Sequence, residues 1–169
     1  MNADSMVAAK PADQRLLDAL AHALCNGALP GELADFGEAE CREAAEFIAD
    51  CAARRPPGIA LVRLESAGGQ VGHRRMRICI ANDDMPFLVD SIANAIAGRG
   101  LIIHRLLHPV VCVDRDENGC LTAVEPLCDD VRRRESIMYI EVDRTDAPAA
   151  GSLTATRQPS GSRTASMTG

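Results

Sequence analysis

The chain has 169 residues with a formal net charge of −6, and 47% of its residues are hydrophobic although only 2% are aromatic. That length suffices for one domain with an aliphatic core, while the shortage of aromatic residues argues against an all-β sandwich and against a platform that stacks nucleic-acid bases. The acidic balance disfavours nucleic acids and anionic membranes as partners, and the lack of a long apolar run or of a basic, apolar leader predicts a cytoplasmic protein.

The first third of the chain is predicted to be helical. Residues 1–10 are expected to form a flexible tail, and residues 11–57 a helical hairpin in which apolar residues recur every three or four positions. The second helix, over residues 37–54, ends beside Arg54 and Arg55. We expect these two cations to offset the negative end of the helix dipole.

Residues 58–144 are predicted to form an α+β domain, because short segments with strand character surround one helical segment. The expected strands cover residues 59–66, 74–81, 101–114, 120–125 and 136–142. Pro109 lies within the third of them and lacks an N–H group, so it places that strand at a sheet edge or introduces a bulge. The charged residues 129–135 are expected to form a loop.

A polar, acidic turn separates the second predicted strand from the helix that follows it. Asn82, Asp83 and Asp84 form this turn, which makes them candidate contacts for the amino group of a small effector. Either aspartate is also expected to cap the helix N-terminus and to stabilise it by about 1 kcal/mol. The apolar face of the helix should pack on the preceding strand, through Leu88, Ile92 and Ile96 against Met76, Ile78 and Ile80.

The C-terminal segment differs sharply in composition from the rest. Residues 145–169 contain almost no large apolar residues, so a disordered tail is expected there. The strand–helix–strand–strand order before it makes up most of a ferredoxin-like unit, which normally adds a second helix and a fourth strand. We therefore expect an incomplete sheet layer that leaves an apolar patch exposed where the missing helix would lie.

The sequence shows no constellation of catalytic, cofactor-binding or metal-binding residues. The seven cysteines include no Cys-x-x-Cys pair, and we interpret them as reduced and mostly buried. His104 and His108 lie about 13 Å apart along a predicted strand, which is too far to share one metal ion. No Gly-x-Gly-x-x-Gly dinucleotide motif is present, and Lys10 is the only lysine.

Four ordered segments carry a family resemblance. They read Asn-Asp-Asp-Met-Pro-Phe-Leu-Val-Asp-Ser at 82–91, His-Pro-Val at 108–110, Arg-Asp-x-x-Gly-x-Leu at 115–121 and Glu-Ser-Ile-Met-Tyr-Ile-Glu-Val-Asp-Arg at 135–144. Together they resemble the N-terminal region of the large bacterial NAD-specific glutamate dehydrogenases, which carries ACT-like domains. The similarity covers roughly residues 10–144.

The resemblance implies a regulatory or assembly module within a very long, homo-oligomeric enzyme. The intact family enzyme oxidises L-glutamate to 2-oxoglutarate and ammonia with NAD, in a catalytic domain downstream of this region. This chain alone is therefore expected to bind no cofactor and to be inactive. The implied partners are the rest of the dehydrogenase polypeptide or further copies of the chain, together with an amino-acid effector.

Two departures from the family leave a second interpretation open. The compositional change after Arg144 suggests a truncated or frame-shifted product of a dehydrogenase gene. ACT modules that bind amino acids usually carry Asp-x-Pro-Gly at the strand–helix turn, whereas Phe87 occupies the glycine position here and limits the approach of a ligand to the backbone. The alternative is a stand-alone ACT-like sensor of amino acids that completes its sheet by dimerising.

Overall fold

The computed structural model describes residues 13–28, 31–67, 75–125 and 133–143. The tails predicted for residues 1–10 and 145–169 lie outside these described residues. The elements, in chain order, are α1 (Gln14–Asn26), α2 (Glu38–Ala52), β1 (Leu61–Ala67), β2 (Arg75–Asp83), α3 (Leu88–Ala97), β3 (Ile103–Leu107), β4 (Val110–Arg115), β5 (Leu121–Glu125) and β6 (Arg133–Asp143).

The strands form one antiparallel, six-stranded sheet in the order β1-β2-β6-β4-β5, with β3 pairing with β6 beside β4. β2 and β3 both flank β6, and α3 connects them. This is the split β-α-β arrangement of ferredoxin-like domains. The predicted α+β class with an ACT-like sheet is thus confirmed, and β1 adds an edge strand next to β2.

Helices cover both faces of the sheet because β2 and β6 alternate apolar side chains toward each side. α1 and α2 pack on the face that carries Cys79 and Tyr139. α3 packs on the other face through Leu88, Ile92 and Ile96, against a cluster that includes Met76, Ile78, Ile80, Met138 and Ile140. The predicted packing of this helix on β2 is confirmed.

Local capping explains where the first two helices begin. The Asp13 carboxylate accepts a hydrogen bond from the N–H of Arg15, which satisfies one free donor at the start of α1. At the start of α2, the N–H of Gly37 donates to the Glu40 carboxylate at 2.9 Å. Glu40 also lies in the first helical turn, where its charge favours the helix dipole.

The single strand predicted over residues 101–114 is instead two strands, β3 and β4, separated at His108 and Pro109. Both pair with β6: Leu107 lies opposite Tyr139, and Val110 opposite Ser136. Pro109 has no N–H to donate, but its carbonyl accepts from the N–H of Ile137 at 3.1 Å. The proline thus interrupts the strand while the β6 backbone stays hydrogen-bonded across the break.

Two further boundaries differ from the sequence prediction. β6 begins at Arg133, so the last residues of the predicted charged loop belong to a strand. α3 begins at Leu88 after Phe87, and neither Asp83 nor Asp84 caps it. The aspartates are unavailable because other side chains bind their carboxylates, as described below.

The prediction that all cysteines are reduced is wrong for Cys25 and Cys41, which form a disulfide between α1 and α2, and for Cys112, which is also disulfide-bonded. The two helices pack side by side and bring the Cα atoms to 6.7 Å, within the range that a disulfide can span. No sequence spacing indicated this pair, because the contact depends on how the two helices pack. Among the described residues, Cys51, Cys79 and Cys120 are free thiols.

Candidate functional site

A buried arginine–carboxylate cluster, made of Arg55, Arg115, Glu135 and Asp83, joins the helical hairpin to the sheet. Arg55 follows α2 and its side chain has no solvent exposure. Its Nη1 donates to Glu135 at 2.6 Å, its Nη2 to Asp83 at 2.7 Å, and its Nε to the carbonyl of Ile59 at 2.8 Å. One side chain therefore connects the end of α2, the segment before β1, the end of β2 and β6.

Arg115 of β4 holds the other side of Glu135. Its Nε and Nη2 bind the two carboxylate oxygens at 2.9 and 2.8 Å, and its Nη1 donates to the carbonyls of Ala52 and Gly119. Glu135 thus accepts three charge-assisted hydrogen bonds from two guanidinium groups while it is fully buried. Such pairing offsets the large desolvation penalty of a buried carboxylate.

The backbone of the β4–β5 hairpin completes the junction. The N–H of Arg55 donates to the carbonyl of Gly119 at 2.9 Å, and the N–H of Leu121 donates to that of Ala53 at 2.9 Å. Gly119 has a φ of +78°, and a Cβ there would lie 2.6 Å from the carbonyl oxygen of Arg55. Only glycine fits this close approach without displacing the backbone.

A surface cavity of about 470 Å³ lies beside the cluster, and its lining includes Arg55, Arg115, Arg133, Asp114, Asp116 and Glu117. Its lining mixes both signs of charge. The nitrogens of Arg55 and Arg115 already donate to protein oxygens. These two guanidinium groups are therefore not free to converge on an anionic ligand in the cavity.

Asp84, Ser136 and His108 form a second chain of hydrogen bonds beside the cluster. The hydroxyl of Ser136 donates to Oδ1 of Asp84 at 3.2 Å. Nε2 of His108 lies 3.1 Å from the hydroxyl oxygen of Ser136. Because Ser136 has one proton and gives it to Asp84, His108 must donate from Nε2. Burial lowers the pKa of His108, and the charge of Asp84 partly opposes that shift.

The hydrogen-bonded set of Asp84, Ser136 and His108 contains the residue types of a serine hydrolase but not their order. In a catalytic triad the histidine lies between the acid and the serine and removes the hydroxyl proton. Here the buried Ser136 lies between Asp84 and His108, and His108 donates to it. The arrangement fixes β6 against the β2–α3 turn and does not activate a nucleophile.

The candidate effector residues of the β2–α3 turn all contact other protein groups. Asp83 binds Arg55, Asp84 binds Ser136 and also lies 3.6 Å from Nε of Arg134, and the amide of Asn82 contacts the sulfur of Met85 at 3.5 Å. An effector role for Asn82, Asp83 and Asp84 therefore stays a prediction, in which a ligand would compete with these contacts.

Sequence reasoning missed the buried role of Arg55, which was expected only to offset the helix dipole. Nothing in the local pattern distinguishes it from Arg54, which lies on the surface. The other residues of the site lie in the four segments that carry the family resemblance. Each segment contributes to it: Asp83 and Asp84, His108, Arg115 and Gly119, and Glu135 and Ser136, respectively.

Within residues 13–28, 31–67, 75–125 and 133–143, no group of three or more potential metal ligands converges. No helix in this part of the chain is long and apolar enough to cross a lipid bilayer.

Comparison with known proteins supports the family resemblance of the four segments that meet at this site. The family model described as "Glutamate dehydrogenase, ACT1 domain" matches residues 20–156. The NAD-specific glutamate dehydrogenase of Halomonas elongata is 39% identical over 74 residues, or 43% of this chain and 5% of that protein. The NAD-specific glutamate dehydrogenase of Pseudomonas aeruginosa is 36% identical over 82 residues, or 47% of this chain and 5% of that protein. No solved structure matches the chain.

The family match covers most of the chain, and the aligned segment spans only a small part of each relative's length. This match accounts for the four segments and for the ACT-like sheet to which they belong. The chain therefore belongs to the glutamate dehydrogenase ACT1 domain family.

Proposed function

We propose that the chain serves as the N-terminal regulatory or assembly region of a long NAD-specific glutamate dehydrogenase. The observation that carries the proposal is the family match over residues 20–156, joined to relatives that are named as such dehydrogenases. The intact enzyme would oxidise L-glutamate to 2-oxoglutarate and ammonia with NAD, using residues outside this chain. The partners would be the remaining dehydrogenase polypeptide and further copies of the enzyme.

The described residues do not fit NAD itself. A dinucleotide site places the pyrophosphate at a glycine-rich turn between a strand and a helix N-terminus. The β2–α3 turn instead presents the carboxylates of Asp83 and Asp84 and the bulky side chain of Phe87. Carboxylates at this position would repel a pyrophosphate, so we assign no step of the reaction to this domain.

An exposed apolar strip on β1 supports a role in assembly. Val62 and Leu64 are 56% and 45% exposed, and they lie opposite Ile80 and Ile78 on the face that α3 covers. α3 covers the β2 and β6 part of that face but leaves the strip open. A neighbouring part of the polypeptide that covered the strip would extend the same core.

A chimera tests the proposal. Residues 20–156 would replace the matching segment of the P. aeruginosa dehydrogenase, and NAD-dependent glutamate oxidation and oligomeric mass would be compared with a deletion of that segment. We expect the deletion to lose assembly or activity and the chimera to recover it. Leu64→Asp in the chimera should abolish the recovery, whereas Ala39→Asp, at an exposed position of α2, should preserve it. A chimera that behaves like the deletion would refute the proposal.

A second proposal is a stand-alone, dimerising amino-acid sensor with its effector site at Asn82, Asp83 and Asp84. The partial exposure of the Asp83 side chain, 42%, favours it because an amino group could reach this carboxylate. A sensor should gain thermal stability with one amino acid by RT ln(1 + [L]/Kd), and Asn82→Ala should reduce that gain. No shift in melting temperature across the proteinogenic amino acids would exclude this function.

A further inference from the structure

The end of α2 and the middle of β2 bring two free thiols into contact. Cys51 lies in the last turn of α2 and is half-buried, and Cys79 lies in β2 with no exposure. The sulfur of Cys51 lies 3.9 Å from the carbonyl oxygen of Cys79, so the two cysteines are in direct contact. The pair is 28 residues apart in sequence, so the contact exists only in the folded domain.

A cation lies beside this pair. Arg63 of β1 is directly opposite Cys79 in the strand register, and its guanidinium stacks over the ring of Phe47 and lies 3.8 Å from the Asp50 carboxylate. The hydrogen bond from Cys79, followed by the positive charge of Arg63, lowers the pKa of Cys51, although burial opposes the shift. The hydrogen bond to Cys51 and burial raise the pKa of Cys79.

These opposite environments give the two thiols different reactivities. The thiolate is the nucleophilic form of cysteine, and a neighbouring cation favours it. Cys51 is therefore the thiol that an oxidant in solvent can reach and that can attack it. Cys79 remains protonated and enclosed, within reach of any product formed on the sulfur of Cys51.

We propose that Cys51 and Cys79 are a redox modification site, which a hydroperoxide converts into a disulfide between α2 and β2. The Cys51 thiolate attacks one peroxide oxygen, the O–O bond breaks, and Cys51 becomes a sulfenic acid while hydroxide or an alkoxide leaves. Cys79 then passes its proton to the sulfenic hydroxyl, and its sulfur, now a thiolate, attacks the Cys51 sulfur. The S–S bond forms, the S–O bond breaks, and the oxygen leaves as water with the proton of Cys79. The two sulfurs together lose two electrons, which the peroxide gains.

The disulfide would tie the helical hairpin to the centre of the sheet. α2 already carries Cys41 in its disulfide to α1, so oxidation would link α1, α2 and β2 covalently. Cys120 provides an internal comparison, because it is also a free, half-buried thiol, but it lies in the β4–β5 hairpin, where it pairs with Arg54 beyond the end of α2.

Peptide mapping tests the site on the full chain. The folded protein would be treated with a small excess of hydrogen peroxide, alkylated with iodoacetamide and digested with trypsin, which places Cys51 and Cys79 in separate peptides, 43–54 and 78–99. We expect these two peptides to appear joined by a disulfide and to separate after dithiothreitol. Cys120→Ser should give the same result.

Two variants identify the role of each thiol. Cys51→Ser should leave Cys79 alkylated as a free thiol, and Cys79→Ser should leave a sulfenic acid on Cys51 that dimedone captures. Wild-type protein in which both cysteines remain free thiols would overturn the proposal. Oxidation of Cys51 to a sulfinic acid, or its linkage to a different cysteine, would overturn it as well. The wild-type measurement stands by itself if Cys79→Ser does not fold.

Discussion

Arg55 and Glu135 form an ion pair in which neither side chain has any solvent exposure, with 2.6 Å between Nη1 and the carboxylate. The two residues lie at the end of α2 and at the start of β6, so the pair spans the interface between the helical hairpin and the sheet. A buried charge without a partner is strongly unfavourable. The pair therefore restricts the hairpin to the one docking position that satisfies both charges.

Replacing Arg55 should strongly lower the urea concentration at which the domain unfolds. Arg55→Met keeps much of the side-chain volume but leaves Glu135 with Arg115 as its remaining guanidinium partner, and it also removes the partner of Asp83. We expect the free energy of unfolding to fall by about 3–5 kcal/mol, the usual effect of breaking a buried ion pair from one side. Urea denaturation followed by circular dichroism measures it.

Arg54→Met is the matched control. Arg54 precedes Arg55 in sequence and is exposed, with one hydrogen bond from its Nε to the carbonyl of Asn118 at 3.1 Å. An exposed substitution of this kind changes stability by about 0.5 kcal/mol. Equal losses for the two variants would show that the position after α2, and not the buried pair, accounts for the effect.

Gly119 should tolerate alanine far less well than Gly100 does. Both glycines have positive φ, +78° and +71°, so either alanine costs about 1 kcal/mol through backbone strain. A Cβ on Gly119 also meets the Arg55 carbonyl at 2.6 Å, whereas a Cβ on Gly100 meets nothing within 4 Å. The difference in unfolding free energy between the two alanine variants measures the cost of the close approach alone. Similar losses of unfolding free energy in both variants would contradict a close approach at Gly119.

The alternation and spacing of apolar residues predicted the helices and strands well where the local sequence determines them. The period-2 pattern of β2 predicted which residues face α3, namely Ile78 and Ile80, because side chains of a strand alternate whatever its neighbours are. The break at Pro109 was recognised as an irregularity, but its extent was not. Two strands result because β6 is long enough to pair with β3 and β4 in succession.

The site was only half predictable because its parts depend on tertiary contacts. Asp83 and Asp84 were identified as important, yet their predicted capping role was wrong since Arg55 and Ser136 bind their carboxylates. Arg55 has no local feature that marks it as buried. The Cys25–Cys41 disulfide likewise follows from helix packing, which the spacing of cysteines does not encode.

Phe87 should be replaceable by glycine with a gain in stability. It precedes α3 with a φ of +64°, which is unfavourable for a residue with a Cβ, and its side chain is 76% exposed. Relief of about 1–2 kcal/mol of strain exceeds the added flexibility of glycine in the unfolded chain, about 0.5–1 kcal/mol. Phe87→Gly should therefore raise the melting temperature, whereas Phe87→Ala, which retains the Cβ, should not.

His108 should make the domain less stable as the pH falls below neutrality. Its pKa is lowered by burial, so the unfolded chain, in which a histidine has a pKa near about 6.5, binds the proton first. The neutral form thus contributes stability that is complete above about pH 6.5 and is lost as the pH falls toward the pKa of the folded state. One such group can contribute a slope of at most about 1.4 kcal/mol per pH unit.

His108→Gln isolates this contribution because the glutamine amide can still donate to Ser136 but does not titrate. We expect its unfolding free energy to fall less steeply than that of the wild type between about pH 7 and pH 5, measured by urea denaturation at each pH. His22→Gln, on the exposed side of α1, controls for the loss of a histidine elsewhere. A His108→Gln variant with the wild-type slope would mean that the proton taken up on unfolding binds to another group. The contact of His108 with Ser136 would then hold β6 to the β3–β4 break without linking it to pH.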